Sequence, residues 1–347
     1  MIRRMLLAAA VLCCLPMGCG RDEAKKELNI YIWAEYLPQD LVDEFAQKTG
    51  IKVNVEIYSN NDVLHQKLAE GMSDYDIVVP TDYMVRTLIR EKLLQPLDHG
   101  RVTNLNNLDK RFMNASFDPG NKHSLPYLWG TTGIGYNKQK IAEPIDSWQA
   151  LFDERYQGQV LMLNDPRECL AVPLWLMGKP LNTTNPDDLK AAADMLKRQK
   201  AQKIVKVYDS DEYDSKLRRG DVTIAHGFNG QLAKLAMQEP DKFAYVVPKE
   251  GATRWMDNLC IPSRARNVES AYAFINFVLE PRNSARIVNN VCYAGANAAA
   301  NEFINPDVLK HPGIYAPDEV LSRCQFMDSI PEIQETIDRL WTEVKNQ

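Results

Sequence analysis

The chain has 347 residues, with 41 Lys and Arg against 46 Asp and Glu, and a formal net charge of −5. This acidic balance argues against nucleic acid as a partner and mildly favours cations as ligands. The length suggests roughly two domains, and a hydrophobic content of 45% is ordinary for a packed globular protein.

The N-terminus has the order of a secretory signal peptide. Two arginines, Arg3 and Arg4, precede the apolar run Met5–Leu15, which is too short to span a bilayer as a permanent helix. Gly18 and Cys19 then resemble a bacterial lipoprotein site with Cys19 as the acylated residue, although Pro16 stands where that pattern prefers Leu. We therefore expect an exported protein in the periplasm or on the outer face of the cytoplasmic membrane. The alternative is ordinary cleavage and a freely soluble product.

The first part of the mature chain alternates strand and helix patterns. Apolar residues recur at the helical period in two segments and alternate or run continuously in three others. The predicted strands are Leu28–Trp33, Ile51–Ile57 and Tyr75–Val79, and the predicted helices are Asp40–Lys48 and a segment from Asn61 or Asp62 to Glu70. This order is typical of a parallel sheet covered by helices.

A second unit of the same kind follows. Its predicted strands are 158–163, 203–208, 222–225, 244–247 and 258–261, and its predicted helices are 187–198, 211–219, 269–279 and 331–345. Two α/β lobes fit both the length and the element order. Between the units, the glycines of Gly130–Tyr136 permit large dihedral changes and predict a hinge crossing. The run matches neither nucleotide-binding fingerprint, so a phosphate loop is a poor interpretation.

Cysteine and histidine usage gives no sign of a metal centre. Four cysteines follow the signal region, and they allow either up to two disulfides or buried free thiols: Cys169, Cys260, Cys292 and Cys324. The five histidines are dispersed, and we expect neither a metal nor another cofactor.

Acidic and aromatic residues follow several predicted strands, where open parallel sheets bind their ligands. The segments that follow strands are Trp33–Tyr36, Asp82–Tyr83 and Asp165–Glu168, with Phe228 after another strand, and a further segment, Trp255–Asp257, precedes the predicted strand 258–261. A carboxylate neutralises an ammonium group, and an aromatic face attracts the same group and packs against methylenes. The pattern therefore favours a flexible, multiply charged polyamine held in a cleft between two lobes.

Five longer segments strengthen this interpretation: Asn29–Tyr36, Tyr75–Pro80, Leu125–Asn137, Pro248–Gly251 and Trp255–Asp257. Through them the chain, from about Leu28 to the C-terminus, resembles the bacterial spermidine/putrescine-binding proteins of ABC importers. The resemblance implies a monomeric two-lobed receptor that delivers its ligand to the permease of an ABC transporter. With the signal peptide at 1–18 and a linker at 19–27, the family implies two discontinuous lobes, one from 28–133 plus 256–299 and the other from 134–255 plus 300–347.

The resemblance also implies the ligand contacts. Asp165 would bind an amine at one end, Glu168 a central nitrogen, and Asp257 the opposite terminal ammonium. The candidate ligand-binding residues are Trp33, Glu35, Tyr36, Thr81, Asp82, Tyr83, Asp165, Glu168, Phe228, Trp255, Asp257 and Tyr293. No residue is assigned a catalytic role, because no activated nucleophile is evident.

Several alternatives stay open. Phe228 stands where spermidine binders usually have Trp, and the C-terminal third looks more like the putrescine branch, so spermidine is preferred only narrowly. Trp33 and Trp255 could be core residues, Trp129 is interpreted as structural, and Arg167 could pair with Glu168 in a salt bridge. The alternative functions are a polyamine sensor, an exported hydrolase of an amine-containing substrate, and a receptor of this fold for another solute.

Overall fold

A computed structural model describes residues 26–71 and 74–347. The predicted signal peptide and the candidate lipidation site at Cys19 lie outside these residues. The strands are β1 Glu27–Trp33, β2 Lys52–Tyr58, β3 Ile77–Val78, β4 Ser124–Asn137, β5 Val160–Met162, β6 Val205–Tyr208, β7 Ile224–Phe228, β8 Phe243–Val246, β9 Ala252–Cys260, β10 Ala294–Gly295 and β11 Cys324–Phe326. The helices are α1 Gln39–Thr49, α2 Asn61–Glu70, α3 Asp82–Arg90, α4 Pro166–Leu176, α5 Pro186–Ala201, α6 Tyr213–Arg219, α7 Asn229–Gln238, α8 Val268–Val278, α9 Pro281–Val291, α10 Pro306–Leu309, α11 Asp318–Leu321 and α12 Gln334–Lys345.

The strands form one mixed sheet with the order β2-β1-β3-β9-β4-β7-β5-β6. At one end, β1 pairs in parallel with β2 and β3, as the alternation of strands and helices predicts. At the other end, β5 pairs in parallel with β6 and β7. The mixed α/β class is confirmed, and the carboxyl ends of both parallel groups supply loops to the same region.

Two long strands, β4 and β9, join the two ends of the sheet. Up to Thr131, β4 pairs antiparallel with β9, and from Thr132 onward it pairs with β7. We call β1, β2, β3, β10, β4 up to Thr131 and β9 after Trp255 the first sheet half. The second sheet half consists of β5 to β8, β11, β4 from Thr132 onward and β9 up to Trp255, where β9 pairs with β11. The glycines between Gly130 and Gly135 therefore lie within a regular strand at the point where it changes partners.

Each sheet half is covered by helices over its own apolar core. The main core of the first half contains Leu28, Phe45, Leu125 and Phe274, packed between β1, α1, β4 and α8. That of the second half contains Leu170, Leu196, Ile224 and Leu340, which α4, α5 and α12 contribute with β7. The predicted helix 331–345 is thus confirmed in its last twelve residues, where α12 buries Ile337, Leu340 and Val344.

One strand prediction was wrong in detail. The strand predicted at 258–261 begins at Ala252, so Trp255 and Asp257 lie inside β9 instead of ahead of it. The strand predicted at 51–57 is confirmed as β2, the edge strand of the sheet, in which Val55 is 42% exposed and Ile57 is 62% exposed.

The four cysteines within the described residues are buried free thiols, which was one of the two interpretations left open. Across residues 26–71 and 74–347, no helix is long and apolar enough to cross a membrane.

Candidate functional site

A cavity of about 830 Å³, including its open mouth, lies between the two sheet halves. Eleven of the twelve candidate ligand-binding residues line it, and Glu35 is the exception. The loop after β1 and the start of α3 form one wall, and the start of α4, the end of β7 and the side chains of β9 form the other. The cavity thus lies beyond the carboxyl ends of the parallel strands, as the sequence pattern predicts.

Asp257 is one of the acids that line the cavity. It lies in β9 and is only 2% exposed. Tyr36 Oη and Thr81 Oγ1 donate hydrogen bonds to its two carboxylate oxygens, each over 2.7 Å. Burial nevertheless raises the pKa of Asp257 to about 7, because two neutral hydroxyls offset only part of the cost of removing the charge from water.

Glu168 lies at a second position in the cavity, in the first turn of α4. It is 6% exposed, and Thr132 Oγ1 donates to its carboxylate over 3.1 Å. The Thr253 side chain on β9 also acts on this carboxylate and lowers its pKa. Burial, followed by repulsion from Asp165, raises the pKa of Glu168 to about 8.

Asp165 has a structural task beside Glu168. It is the N-cap of α4, and its Oδ1 accepts the backbone N–H of Glu168 over 2.9 Å. Burial raises its pKa as well. The suggested salt bridge between Arg167 and Glu168 is wrong, because Arg167 turns outward and donates to the Asp328 carbonyl at 3.0 Å and to Asn182 Oδ1 at 3.2 Å.

Asp82 is buried, but both of its carboxylate oxygens have backbone partners. Oδ1 accepts the N–H of Tyr83 over 2.6 Å, and Oδ2 accepts the N–H of Met256 over 3.0 Å. The side chain therefore joins the start of α3 to β9 and places Thr81 beside Asp257. Its role in this geometry is to fix the wall of the cavity, and burial raises its pKa.

Aromatic rings line the cavity between these acids. Trp255 packs edge-on against Phe228, with ring centroids 5.9 Å apart, and against Tyr293 at 5.2 Å. Tyr293 in turn lies 5.3 Å from Tyr36. Trp129, in contrast, is a core residue that packs on Phe112, as expected for a structural tryptophan.

The prediction for Glu35 fits the structure least well. Its backbone has a left-handed conformation, with φ of 61°, and the side chain is exposed. It faces a shallow surface depression together with Asp214 and Lys234. Its neighbour Ala34 lines the cavity instead.

Sequence reasoning missed several residues of the lining. These are Tyr58, Ser59, Asn61, Ser210, Asp211, Tyr213, Gln231, Thr253 and Met327. Position after strand β2 could have indicated Ser59 and Asn61, by the same argument that found Thr81. Tyr213 and Met327 come from a helix and from the segment after β11, and no local pattern marks them.

The charge of the lining is one-sided. Asp82, Asp165, Glu168, Asp211 and Asp257 contribute carboxyl groups, and no Lys or Arg is among the described residues that line the cavity. Likewise, no group of three or more His, Cys, Asp or Glu side chains in the described part of the chain is arranged to hold a metal ion. The cavity can therefore neutralise a cation and stack on methylenes, and it is unsuited to an anion.

Comparison with known proteins identifies the family. Residues 40–316 match the family model described as bacterial extracellular solute-binding protein. The chain belongs to this family. Its members are extracellular by description, which places the protein outside the cytoplasm, and the resemblance found in the sequence is confirmed at the level of the family.

Curated relatives cover nearly the whole chain. The putrescine-binding periplasmic protein SpuD of Pseudomonas aeruginosa is 35% identical over 348 residues, covering 95% of this chain and 94% of that protein. The spermidine/putrescine-binding periplasmic protein of Salmonella typhimurium is 33% identical over 344 residues, covering 99% and 98%. Among solved structures, a putative spermidine/putrescine ABC transporter protein from Listeria monocytogenes has a TM-score of 0.88 and 36% identity, covering 92% of this chain and 99% of that one.

Proposed function

We propose that this protein is an extracytoplasmic receptor that captures polyamines in the acidic, aromatic cavity and delivers them to an ABC importer. One observation carries the proposal: two buried carboxyl groups, Asp257 and Glu168, share a ring-lined cavity that has no cationic side chain among its described residues. The names of the relatives from Pseudomonas and Salmonella, which bind putrescine or spermidine, support the same ligand class.

The electrostatics favour an ammonium ligand. A buried carboxylate without a counter-charge is costly, and the raised pKa values of Asp257 and Glu168 express that cost. A polyamine supplies the missing positive charges, and each aromatic face adds about 0.5–2 kcal/mol. A micromolar affinity requires about −8 kcal/mol, which a site of this kind can provide.

The arrangement along β9 supports a ligand whose amines are joined by methylenes. Thr253, which acts on Glu168, and Asp257 lie on the same face of β9 with Trp255 between them. The Trp255 ring can therefore pack on methylenes while carboxyl groups receive the amines. Putrescine and spermidine both combine methylenes and amines in this way.

We prefer spermidine narrowly because Asp165 lies beside Glu168 and can receive a third ammonium group. Its Oδ1 already accepts a backbone N–H, but a carboxylate has about four acceptor positions, and a bound ammonium favours its ionised form. Putrescine would leave this acid without a cation. Spermidine is preferred when the binding free energy from a third amine at Asp165 exceeds the conformational entropy that the longer ligand loses on binding.

We further propose that the two sheet halves belong to two lobes, 28–133 plus 256–299 and 134–255 plus 300–347, that close over the ligand. The change of partners in β4 between Thr131 and Thr132 agrees with a boundary near residue 133. In this proposal the receptor acts as a monomer without a cofactor, is tethered through Cys19, and docks on the permease when it is closed.

The test is calorimetric titration of the chain starting at Lys25 with spermidine, putrescine, spermine and cadaverine in turn. We expect one-to-one binding of spermidine that is lost in Asp257→Ala and Glu168→Ala. Tighter binding of putrescine would retain the class and reverse the preference, and no binding of any polyamine would refute the function. Recovery of the ligand unchanged, measured by mass spectrometry after long incubation, separates a receptor from a hydrolase.

A further inference from the structure

Asn61 connects two side chains of the cavity wall, Thr81 and Tyr83, to helix α2. It is 5% exposed, lies in the first turn of α2 and lines the cavity. Its Nδ2 donates to Thr81 Oγ1 and to Tyr83 Oη, both over 3.0 Å. The cap of the helix is the preceding residue, Asn60, so the helix itself does not require the Asn61 side chain for capping.

The orientation of the Asn61 amide follows from its third contact. The backbone N–H of Thr81, which can only donate, lies 3.3 Å from Asn61 Oδ1. The oxygen of the amide must therefore face the Thr81 backbone. This turns the two amide hydrogens toward the two hydroxyl groups.

Both hydroxyls then act as acceptors toward Asn61, which decides where the Thr81 hydroxyl hydrogen goes. A hydroxyl group has a single hydrogen. Because the Asn61 amide already donates to the Thr81 oxygen, the Thr81 hydroxyl hydrogen points at Asp257 Oδ1, 2.7 Å away. The result is a one-way chain of donors from Asn61 through Thr81 to the Asp257 carboxylate in the cavity wall.

We propose that Asn61 is a positioning residue for polyamine recognition, which acts by forcing the Thr81 hydroxyl to donate to Asp257. The proposal rests on the proposed function of this same cavity. It assigns to a side chain of α2 the task of keeping the Asp257 carboxylate ionised and correctly oriented for an incoming ammonium group.

The surroundings of Asp257 explain why this donor matters. Among the described residues, the Asp257 charge raises the pKa of four titratable side chains, and none of these carries a positive charge: Tyr36, Tyr58, Asp82 and Tyr293. Without Asn61 the Thr81 hydroxyl can rotate away, which leaves Tyr36 as the fixed donor to the carboxylate. Asp257 then takes up a proton more readily, and a cation must displace that proton in order to bind.

The experiment is titration of putrescine into the wild type, Asn61→Leu, Thr81→Val and the double variant between pH 6 and pH 8.5. We expect Asn61→Leu to weaken binding about 10-fold at pH 7, the loss typical of a hydrogen bond to a charged group, and to move the midpoint of the pH profile upward. The double variant should bind as weakly as Thr81→Val alone, because Asn61 acts through Thr81. Asn61→Ser carries the same expectation if the Leu variant fails to fold.

Asn297→Leu is the matched control. Asn297 is a buried asparagine whose Nδ2 donates to the Leu279 carbonyl, and it does not line the cavity. Its replacement should lower the melting temperature without changing the pH profile of binding. An unchanged profile in Asn61→Leu, or losses that add in the double variant, would overturn the proposal. A wild type that binds no polyamine would refute the proposed function instead.

Discussion

The proposed site depends on individual carboxyl groups that are buried in a lining where the described residues include no Lys or Arg. Asp257 and Glu168 have hydroxyl partners, yet burial places their pKa values at about 7 and about 8. Both groups are thus partly protonated near neutral pH in the ligand-free protein. A bound ammonium favours the ionised form, so binding and proton release are linked.

We therefore expect polyamine binding to release protons. At pH 7 the two acids together should lose about one to two protons per ligand, and affinity should rise as the pH is raised from 6 to 8. The measurement is calorimetry in two buffers that have different ionisation enthalpies. Equal heats in both buffers would contradict the prediction, because no proton would then be exchanged.

The same acids should make the ligand-free protein less stable as the pH rises. A carboxyl group whose pKa is raised by folding contributes stability that is present below its ordinary pKa and is lost as the pH rises through the raised value. Each unit of raised pKa corresponds to about 1.4 kcal/mol. The stability contributed by Asp257 is therefore lost as the pH rises to about 7, and that contributed by Glu168 as the pH rises to about 8.

Asp257→Asn tests this linkage. We expect the variant to lose most of its polyamine affinity and to show a smaller decrease in melting temperature between pH 5 and pH 8 than the wild type. Thermal unfolding across that range, without ligand, is the measurement. Asp109→Asn is a control, because the pKa of Asp109 is lowered, chiefly by its hydrogen bond from the Arg111 side chain, and is not raised. A wild-type pH dependence in Asp257→Asn would contradict the interpretation.

At the scale of elements, the crossing strands β4 and β9 bring the two groups of site residues together. Gly130 of β4 pairs with Trp255 of β9, and a Cβ at this glycine would lie 2.1 Å from Asn229 Oδ1 and 2.6 Å from Trp255 Cζ2. The absence of a side chain therefore lets the indole lie against the strand. In this way one backbone position determines how far Trp255 reaches into the cavity.

Gly130→Ala should consequently weaken polyamine binding, because Trp255 must shift. We expect a loss of at least about 10-fold, comparable with removing one ring contact. Gly135→Ala is a control on the same strand, since its Cβ would meet Leu232, which does not line the cavity. It should lower stability and leave affinity unchanged. Equal affinities for both variants, measured by calorimetry, would show that the fit of Trp255 is unimportant.

The elements also show what the sequence can predict. Local apolar patterns were sufficient for β1, α1, β2 and α2. The two helices bury one face each, whereas β2 follows the period-two pattern although its Val55 and Ile57 are exposed. The start of β9 was missed because Thr253 and Asp257 are buried toward the cavity, which breaks the apolar pattern of a buried strand. Glu35 was expected in the cavity, but its backbone is left-handed after β1 and its side chain lies outside the cavity lining. The neighbouring residues in the sequence do not indicate this turn.

At the scale of the whole molecule, a few contacts connect the two sheet halves outside the cavity. Arg86 of α3 forms an ion pair with Asp328 at 3.1 Å, and Thr87 Oγ1 lies 2.9 Å from Ser329 Oγ. Asp328 is held to the second half, since its N–H donates to Asn182 and its carbonyl accepts from Arg167. These contacts join the outer side of α3 to the segment that follows β11.

We expect these contacts to stabilise the closed form, so that their loss speeds release of the ligand. An exposed ion pair contributes about 0–1 kcal/mol, so Arg86→Ala should raise the dissociation rate of spermidine by roughly two- to fivefold and leave the melting temperature of the ligand-free protein almost unchanged. Stopped-flow tryptophan fluorescence measures this rate. Arg155→Ala is a matched control, because Arg155 pairs with Asp153 at 2.6 Å within the second half. A dissociation rate in Arg86→Ala equal to that of Arg155→Ala would mean that closure depends on the ligand and the cavity walls alone.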